Sequence, residues 1–247
     1  MTTAISLFER SHLLTALPDG ERGLLEPDLE WDELHAGAVL HQAGAELRHV
    51  YFPATATVSL VSSLEDGASA EVAVVGNEGM VGVCAFMGET TAQCDAVVQR
   101  PGHAARMGVQ ALQRHTHRSP ALMQQLLSYT QALITHMAQS SACNRHHALD
   151  QQLCRWLLQH LDRQDDTDML ATQERIASLL GVRREGVTSG ALKLQRAGLI
   201  EYHRGHISIL DRHGLEARSC ECYGVVRRAY DKLSCGHPAA PRERHST

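Results

Sequence analysis

The sequence predicts an α+β chain in which an antiparallel β-roll, or jelly roll, leads into a long helix and then a small helical domain with a β-hairpin. Three observations carry this. Between about residues 32 and 108, short β-branched segments alternate with turn signals. From Ser119 the apolar period becomes that of a helix. The charge also divides: residues 1–170 hold 10 Lys+Arg against 20 Asp+Glu, and residues 171–247 hold 13 against 8. The formal total of −5 is therefore an acidic −10 followed by a basic +5. A basic end on an acidic chain suits a polyanionic partner for that end alone.

Apolar residues make up 43% of the 247, enough to build a core and to exclude wholesale disorder. No apolar run approaches the ~18 residues that would cross a bilayer. The first thirty residues carry Glu9, Asp19, Glu21, Glu26, Asp28 and Glu30, unlike a signal peptide. A cytoplasmic location is expected. Seven cysteines form no dense framework in so long a chain, so reduced thiols are expected.

Taken in order, residues 3–25 suggest short helices through Leu13, Leu14, Leu17, Leu24 and Leu25. The strand signals follow at Val39-Leu40, Val50-Tyr51-Phe52, Val58 to Val61, Glu71 to Val75 and Ala96 to Val98. Ala43-Gly44-Ala45, Asp66-Gly67, Gly76-Asn77, Gly88 and Pro101-Gly102 punctuate them. Ser119-Pro120 supplies a helix cap and a first-turn proline. Leu122, Leu126, Tyr129, Leu133, Met137 and Ser140 then recur at spacings of 4, 3, 4, 4 and 3. Such a stripe serves either packing on the chain's own domain or a parallel helix pair across a dimer interface. A second helix is predicted over about 147–163, with Leu149, Leu153, Trp156, Leu157 and Leu161 on one face, and a boundary near 145. The expected division is 1–118 for the roll, 119–144 for the long helix, 145–212 for the helical domain, and 213–247 for a C-terminal helix and frayed tail.

Residues 172–210 carry the chemistry. Thr172 can cap a helix that buries Ile176, Leu179 and Leu180 and that Gly181 ends. Ala177, four residues before the turn, leaves room for two helices to approach. A second helix follows from about Arg183 to Ala197 with Val187, Ala191 and Leu194 inward. This spacing is that of a helix-turn-helix. Residues 198–209 then alternate about a tight turn as a β-hairpin, which completes a winged helix. The start of the second helix would meet base edges through Arg183, Arg184, Glu185, Thr188 and Ser189. Lys193, Arg196, His203 and Arg204 suit phosphates, which position without specifying. Gly186 and Gly190 run against helix preference at about 1 kcal/mol each relative to Ala.

The whole arrangement resembles the Crp/Fnr family of bacterial transcription regulators over about residues 7–212. Two segments carry most of the resemblance: Gly76-Asn77-Glu78-Gly79-Met80-Val81-Gly82, and the run from Thr172-Gln173-Glu174-Arg175 to Arg184-Glu185-Gly186-Val187. The stretch from Asn144-Arg145-His146-His147 to Arg155-Trp156-Leu157-Leu158 is similar as well. The resemblance implies a cyclic-nucleotide-binding-like roll, a dimerisation helix using Leu122, Leu126, Tyr129, Leu133 and Met137, and a homodimer on a near-palindromic double-stranded operator. It also admits RNA polymerase as a partner. Arg184 and Glu185 fall on the family's base-reading pair, and its third contact falls on Ser189, so a different operator is expected.

Family members that bind cyclic nucleotides hold the phosphate with an Arg beside a Ser inside the roll. Here no Lys or Arg lies between Arg48 and Arg100, and the corresponding run from Gly88 to Ala96 carries Glu89 and Asp95. A phosphate there would be a buried, unpaired anion, so cyclic AMP is disfavoured. No cysteine precedes Cys84, which disfavours an iron–sulfur cluster. The effector is unassigned. Cys84, Cys94, Cys143 and Cys154 are expected in the core. Cys220-Glu221-Cys222 with Cys235 lacks the paired spacing of a closed zinc site, and no metal-ligand set is assigned. His35, His41, His49, His146 and His147 are the best metal candidates among 16 histidines, and His115-Thr116-His117 sits in a polar connector with no carboxylate nearby. Two other readings remain: a cupin-type barrel metalloprotein, and an effector-free dimerisation scaffold. No P-loop, nucleophile elbow or nucleophile–base pair is present, so no enzyme activity is expected.

Overall fold

The computed structural model describes residues 8–234. Two short helices, α1 (His12–Thr15) and α2 (Asp19–Leu25), open it and bury Leu13, Leu14, Leu17 and Leu25 in the roll's core, while Leu24 faces solvent. The roll consists of two antiparallel sheets. One orders β1 (Glu30–Leu34), β7 (Gly102–Gly108) and β3 (His49–Pro53). The other orders β2 (Val39–His41), β6 (Asp95–Arg100), β4 (Thr57–Ser63) and β5 (Ser69–Val75). Thr57 to Val61 of β4 are buried throughout, because one face fills the roll and the other receives the second core, which Val61 joins.

Helix α3 (Val109–Arg118) follows directly on β7. It contains the His115-Thr116-His117 segment expected as a connector. His115 Nε2 lies 2.7 Å from Asp28 Oδ2, so the expectation of no nearby carboxylate is corrected. The partner comes from 87 residues away, beyond the reach of local spacing.

Helix α4 (Pro120–His146) begins as expected: Leu122 N donates to Ser119 Oγ at 3.0 Å, and Pro120 takes the first position. Its apolar stripe requires a second correction. Leu122, Leu126, Tyr129 and Leu133 are at most 3% exposed and lie in the chain's own roll core, with Met137 packed beside them. Offering this face to a second copy would give up ~1.5–3 kcal/mol per aliphatic side chain already buried. The exposed stripe sits one residue further on, about 100° round the helix. Leu127 and Ile134 are 48% and 53% exposed there, with Ala138 exposed and Met123 half-buried.

Helix α5 (Leu149–Leu161) turns back after His147, and the chain then builds the reader described below. Helices α8 (Arg212–Arg218) and α9 (Glu221–Ser234) close the described chain. Val226 and Tyr230 of α9 return to the first core beside α4. Cys235 and the expected tail lie outside the described residues.

The roll motif Gly76 to Met80 is a docking plate. Arg163, just beyond α5 and 7% exposed, donates from Nε to Glu78 Oε1 at 2.6 Å and from an Nη to the Gln159 carbonyl at 2.6 Å. Its guanidinium lies 5.0 Å from the centroid of the Tyr230 ring. Burial is the largest influence and opposes its charge, but Glu78, Tyr230 and Asp162 together outweigh burial and keep the guanidinium cationic. A Cβ on Gly76 would fall 2.8 Å from Arg163 Cβ, and one on Gly79 2.3 Å from the Tyr129 ring. Tyr129 itself donates to the Met80 carbonyl at 3.0 Å. One turn earlier, His160 faces Glu71 at 3.3 Å, and Ser59 hydroxyl donates to the same carboxylate.

Arg163→Ala should therefore leave the half-buried Glu78 without its cation and cost on the order of 3 kcal/mol in urea unfolding. The pair Glu78→Gln with Arg163→Met should recover part of that loss. Gly79→Ala should cost about 1–3 kcal/mol by overpacking Tyr129, which has no room to retreat.

Candidate nucleic-acid interface

The reader is built by local rules. Arg175 N donates to Thr172 Oγ1 at 3.2 Å, capping α6 (Gln173–Leu180). Gly181 ends the helix at φ 66°, a left-handed conformation that favours glycine. Two residues later α7 (Arg184–Arg196) begins, with Arg183 as its cap residue. Ile176, Leu179, Leu180, Val187, Ala191 and Leu194 meet in the second core. A three-stranded sheet of β8 (Asp168–Leu170), β10 (His206–Ile209) and β9 (Ile200–His203) forms the wing. Its tip is Arg204-Gly205, at φ 48° and 84°. Arg204 is the one non-glycine residue with positive φ among those described. The tight turn thus holds a cation at its tip where glycine or asparagine would be easier.

Helix α7 turns three faces in different directions. Val187, Ala191 and Leu194 point into the core. Gly186 and Gly190 point at α5: a Cβ on either would approach Leu149 Cδ2 at 2.7 Å or Leu153 Cδ2 at 3.2 Å. The two glycines give up helix propensity and let α5 cross closely. The outward face carries Glu185, Ser189, Leu192 and Arg196, all exposed, with Arg184 and Arg183 exposed at the helix start. Leu192, 46% exposed, belongs to this face although polarity alone did not single it out. An apolar side chain there suits contact with a thymine methyl.

Two expected contacts sit differently. Lys193 lies on the α5 side, its Nζ 2.9 Å from Asp150 Oδ2, so its charge is already partnered. Thr188 Oγ1 donates to Gln173 Oε1 at 2.6 Å and is thereby tied to α6, fixing the angle between the two helices. His203 and Arg204 are exposed together at the wing.

The reader also leans on the roll. Arg175 Nε donates to Gln99 Oε1 of β6 at 2.6 Å, and the hydroxyls of Ser178 and Ser69 are 3.0 Å apart. Arg100 donates to Asp166 at 2.8 Å and Arg10 to Asp165 at 3.0 Å, clipping the linker to the roll. Inside the run from Gly88 to Ala96, the amides of Thr90 and Thr91 donate to Glu89 Oε1 at 3.0 and 3.2 Å. His41 and His49 line a shallow pocket with Glu46 and Arg48 and do not converge on a metal-ligand geometry. Cys94 and Cys154 are pushed up to about 11, first by burial, and neutral thiols suit packing.

A β-roll that feeds one long helix into a winged helix-turn-helix with a cationic rim defines a DNA-binding transcription regulator. Comparison with known families agrees in both halves. The cyclic nucleotide-binding domain matches residues 31–118, and the Crp-like helix-turn-helix domain matches residues 151–218. The chain belongs to the Crp/Fnr family of transcription regulators. Among solved structures, FixK2 from Bradyrhizobium japonicum aligns over 78% of this chain and 98% of its own at 15% identity, with a TM-score of 0.67. The regulator TTHB099 of Thermus thermophilus aligns over 76% and 96% at 18% identity, with a TM-score of 0.64. The cyclic-di-GMP-responsive regulator CLP of Xanthomonas campestris aligns over 78% and 99% at 14% identity, with a TM-score of 0.63. At these identities the likeness is one of fold. A comparison with curated proteins found no match. Among the described residues, no helix is long and apolar enough to cross a membrane.

Arg204→Gly should relieve a left-handed conformation costing on the order of 1 kcal/mol and raise the urea midpoint. The same change should weaken DNA binding, so stability and affinity are expected to move in opposite directions when both are measured on one preparation.

Proposed function

We propose that the chain acts in the cytoplasm as a homodimer that reads a near-palindromic operator, with a roll that does not bind cyclic AMP in the family's usual mode. The observation that carries the reading is the exposed face of α7, Arg184, Glu185, Ser189 and Arg196, together with the exposed Arg204 at the wing tip. Arg184 is suited to guanine and Glu185 to the amino group of cytosine, while Ser189 and Leu192 add shorter contacts. Arg196, His203 and Arg204 suit phosphates. Lys193 contributes less, since Asp150 must first release it. We take residues up to 118 as the sensor, 119–144 as the dimer helix and 145–212 as the reader, with RNA polymerase a further partner when the protein activates.

The dimer would form on the stripe through Met123, Leu127, Ile134 and Ala138, at heptad-like spacing and free of the chain's own core. Two readers related by that axis would fall ~34 Å, one DNA turn, apart. Leu127→Asp with Ile134→Asp should give a monomer by light scattering and abolish operator binding while leaving helicity intact. A dimer that survives both changes would overturn this assignment.

The roll argument is electrostatic. No Lys or Arg lies from 49 to 99, Arg100 is engaged by Asp166, and Arg106 by Glu30 and Asp32. Within the run from Gly88 to Ala96, the amides of Thr90 and Thr91 already serve Glu89. Titration calorimetry with cyclic AMP should show no binding, and a micromolar affinity would refute this part.

Footprinting on the upstream region should reveal a salt-sensitive, two-fold symmetric site. Arg184→Ala should cost about 1–3 kcal/mol and relax specificity at one position, whereas Arg196→Ala should weaken all sequences alike and reduce the salt slope by ~1. Binding without sequence preference would overturn the regulator reading at the level of its operator.

A further inference from the structure

Three buried cysteines form a small cluster of their own, separate from the two main cores. Cys143 lies in the last turn of α4, and His147 caps that helix four residues on. Cys220 precedes α9, and Cys222 is in its first turn. The Sγ atoms of Cys143 and Cys220 are 3.4 Å apart, and Cys222 Sγ is 3.5 Å from His147 Nδ1. All four ligand atoms lie within 4.8 Å of one another. A tetrahedral zinc site with metal–sulfur bonds of ~2.3 Å needs sulfurs ~3.8 Å apart, so only small side-chain shifts separate this cluster from that geometry.

The surroundings favour a ligand set over plain packing. His147 turns Nδ1 inward while its Nε2 lies 3.3 Å from Glu221 Oε1. A carboxylate on the far nitrogen is the usual orienting partner of a metal-bound histidine. The Gln152 amide donates to the His147 carbonyl at 2.8 Å and holds the corner in place. Arg155, buried and bonded to Ser140 and Asn144, sits on the same side of the corner.

We propose that Cys143, His147, Cys220 and Cys222 bind one divalent cation of the zinc class, with Glu221 as the positioning residue for His147. Three thiols lose their protons to solvent, four bonds to the cation form, and no electron changes hands. Three thiolates and one dication leave a site charge of −1, which the neighbouring Arg155 offsets. Four protein ligands leave no open position, so the site is structural. It would tie the end of α4 and its corner with α5 to the start of α9, which no pair of these elements alone achieves.

The test uses the full chain purified under reductant without chelating resin. Elemental analysis should give one zinc per chain. Replacement by Co2+ should give thiolate charge-transfer and tetrahedral d–d bands, with about three protons released per metal at a pH below the thiol range. Cys222→Ser should lose the bands. Glu221→Gln should keep the stoichiometry at saturation but lower affinity ~10–100-fold, a change that a merely packed cluster would not show. Cys235→Ser should change nothing. Absence of stoichiometric metal and of Co2+ bands in folded wild-type protein would overturn the site, as would a Cys143–Cys220 disulfide found by non-reducing mass spectrometry. Operator binding is measured separately, so failure of the metal site leaves the regulator reading intact.

Discussion

The position of the reader depends on one buried cation. Arg163 carries a full charge into a site 7% exposed, where its desolvation would be prohibitive without Glu78 at 2.6 Å. The partners around it come from three parts of the chain: Glu78 from the roll, the Gln159 carbonyl from α5, and the Tyr230 ring from α9. Breaking one leaves the others unsatisfied, so the contacts act as a unit. His136, beneath the same ring at 3.3 Å from the Tyr230 hydroxyl, is held well below the usual imidazole range by burial and by the nearby Arg163 and Arg155. The pocket thus admits one positive charge and rejects a second.

This pocket explains the roll motif. Gly76 and Gly79 have no side chain because Arg163 and Tyr129 occupy that space, and Glu78 is acidic because the guanidinium must be met. A second contact, Glu71 with His160 and Ser59, lies one turn earlier on α5 and aligns the helix along β5. The two clamps fix both position and rotation of α5. Through Gly186 and Gly190, α5 in turn fixes how α7 is presented.

What the sequence made legible follows from range. The reader rests on caps, turn glycines and alternation within forty residues, and each landed where local physics put it. The partner of the α4 stripe was not legible in the same way, since Leu122, Leu126, Tyr129 and Leu133 pack in the chain's own core. Both faces of α4 carry apolar residues at helical spacing, and the larger side chains, Tyr129 among them, belong to the roll. Periodicity gives a helix its stripe but not the stripe's partner. Asp28 beside His115, and Cys143 beside Cys220, join positions 87 and 77 residues apart, so no spacing rule could pair them. The glycines of α7 read as a defect until α5 was seen to cross there.

A roll without Lys or Arg from 49 to 99 still has mechanical contact with the reader. Arg175 reaches Gln99, Ser178 reaches Ser69, and Arg100 and Arg10 hold Asp166 and Asp165. These contacts are exposed or half-exposed, and each is worth little alone, ~0–1 kcal/mol. The Arg163 and Glu71 clamps are buried and strong. In a regulator built this way the weak outer contacts are exchanged at the least cost, while the clamps keep α5 seated on the roll. A signal that enters this fold must therefore bias the outer contacts or act at the α4–α5 corner. That corner is where His147, Gln152 and the three cysteines converge.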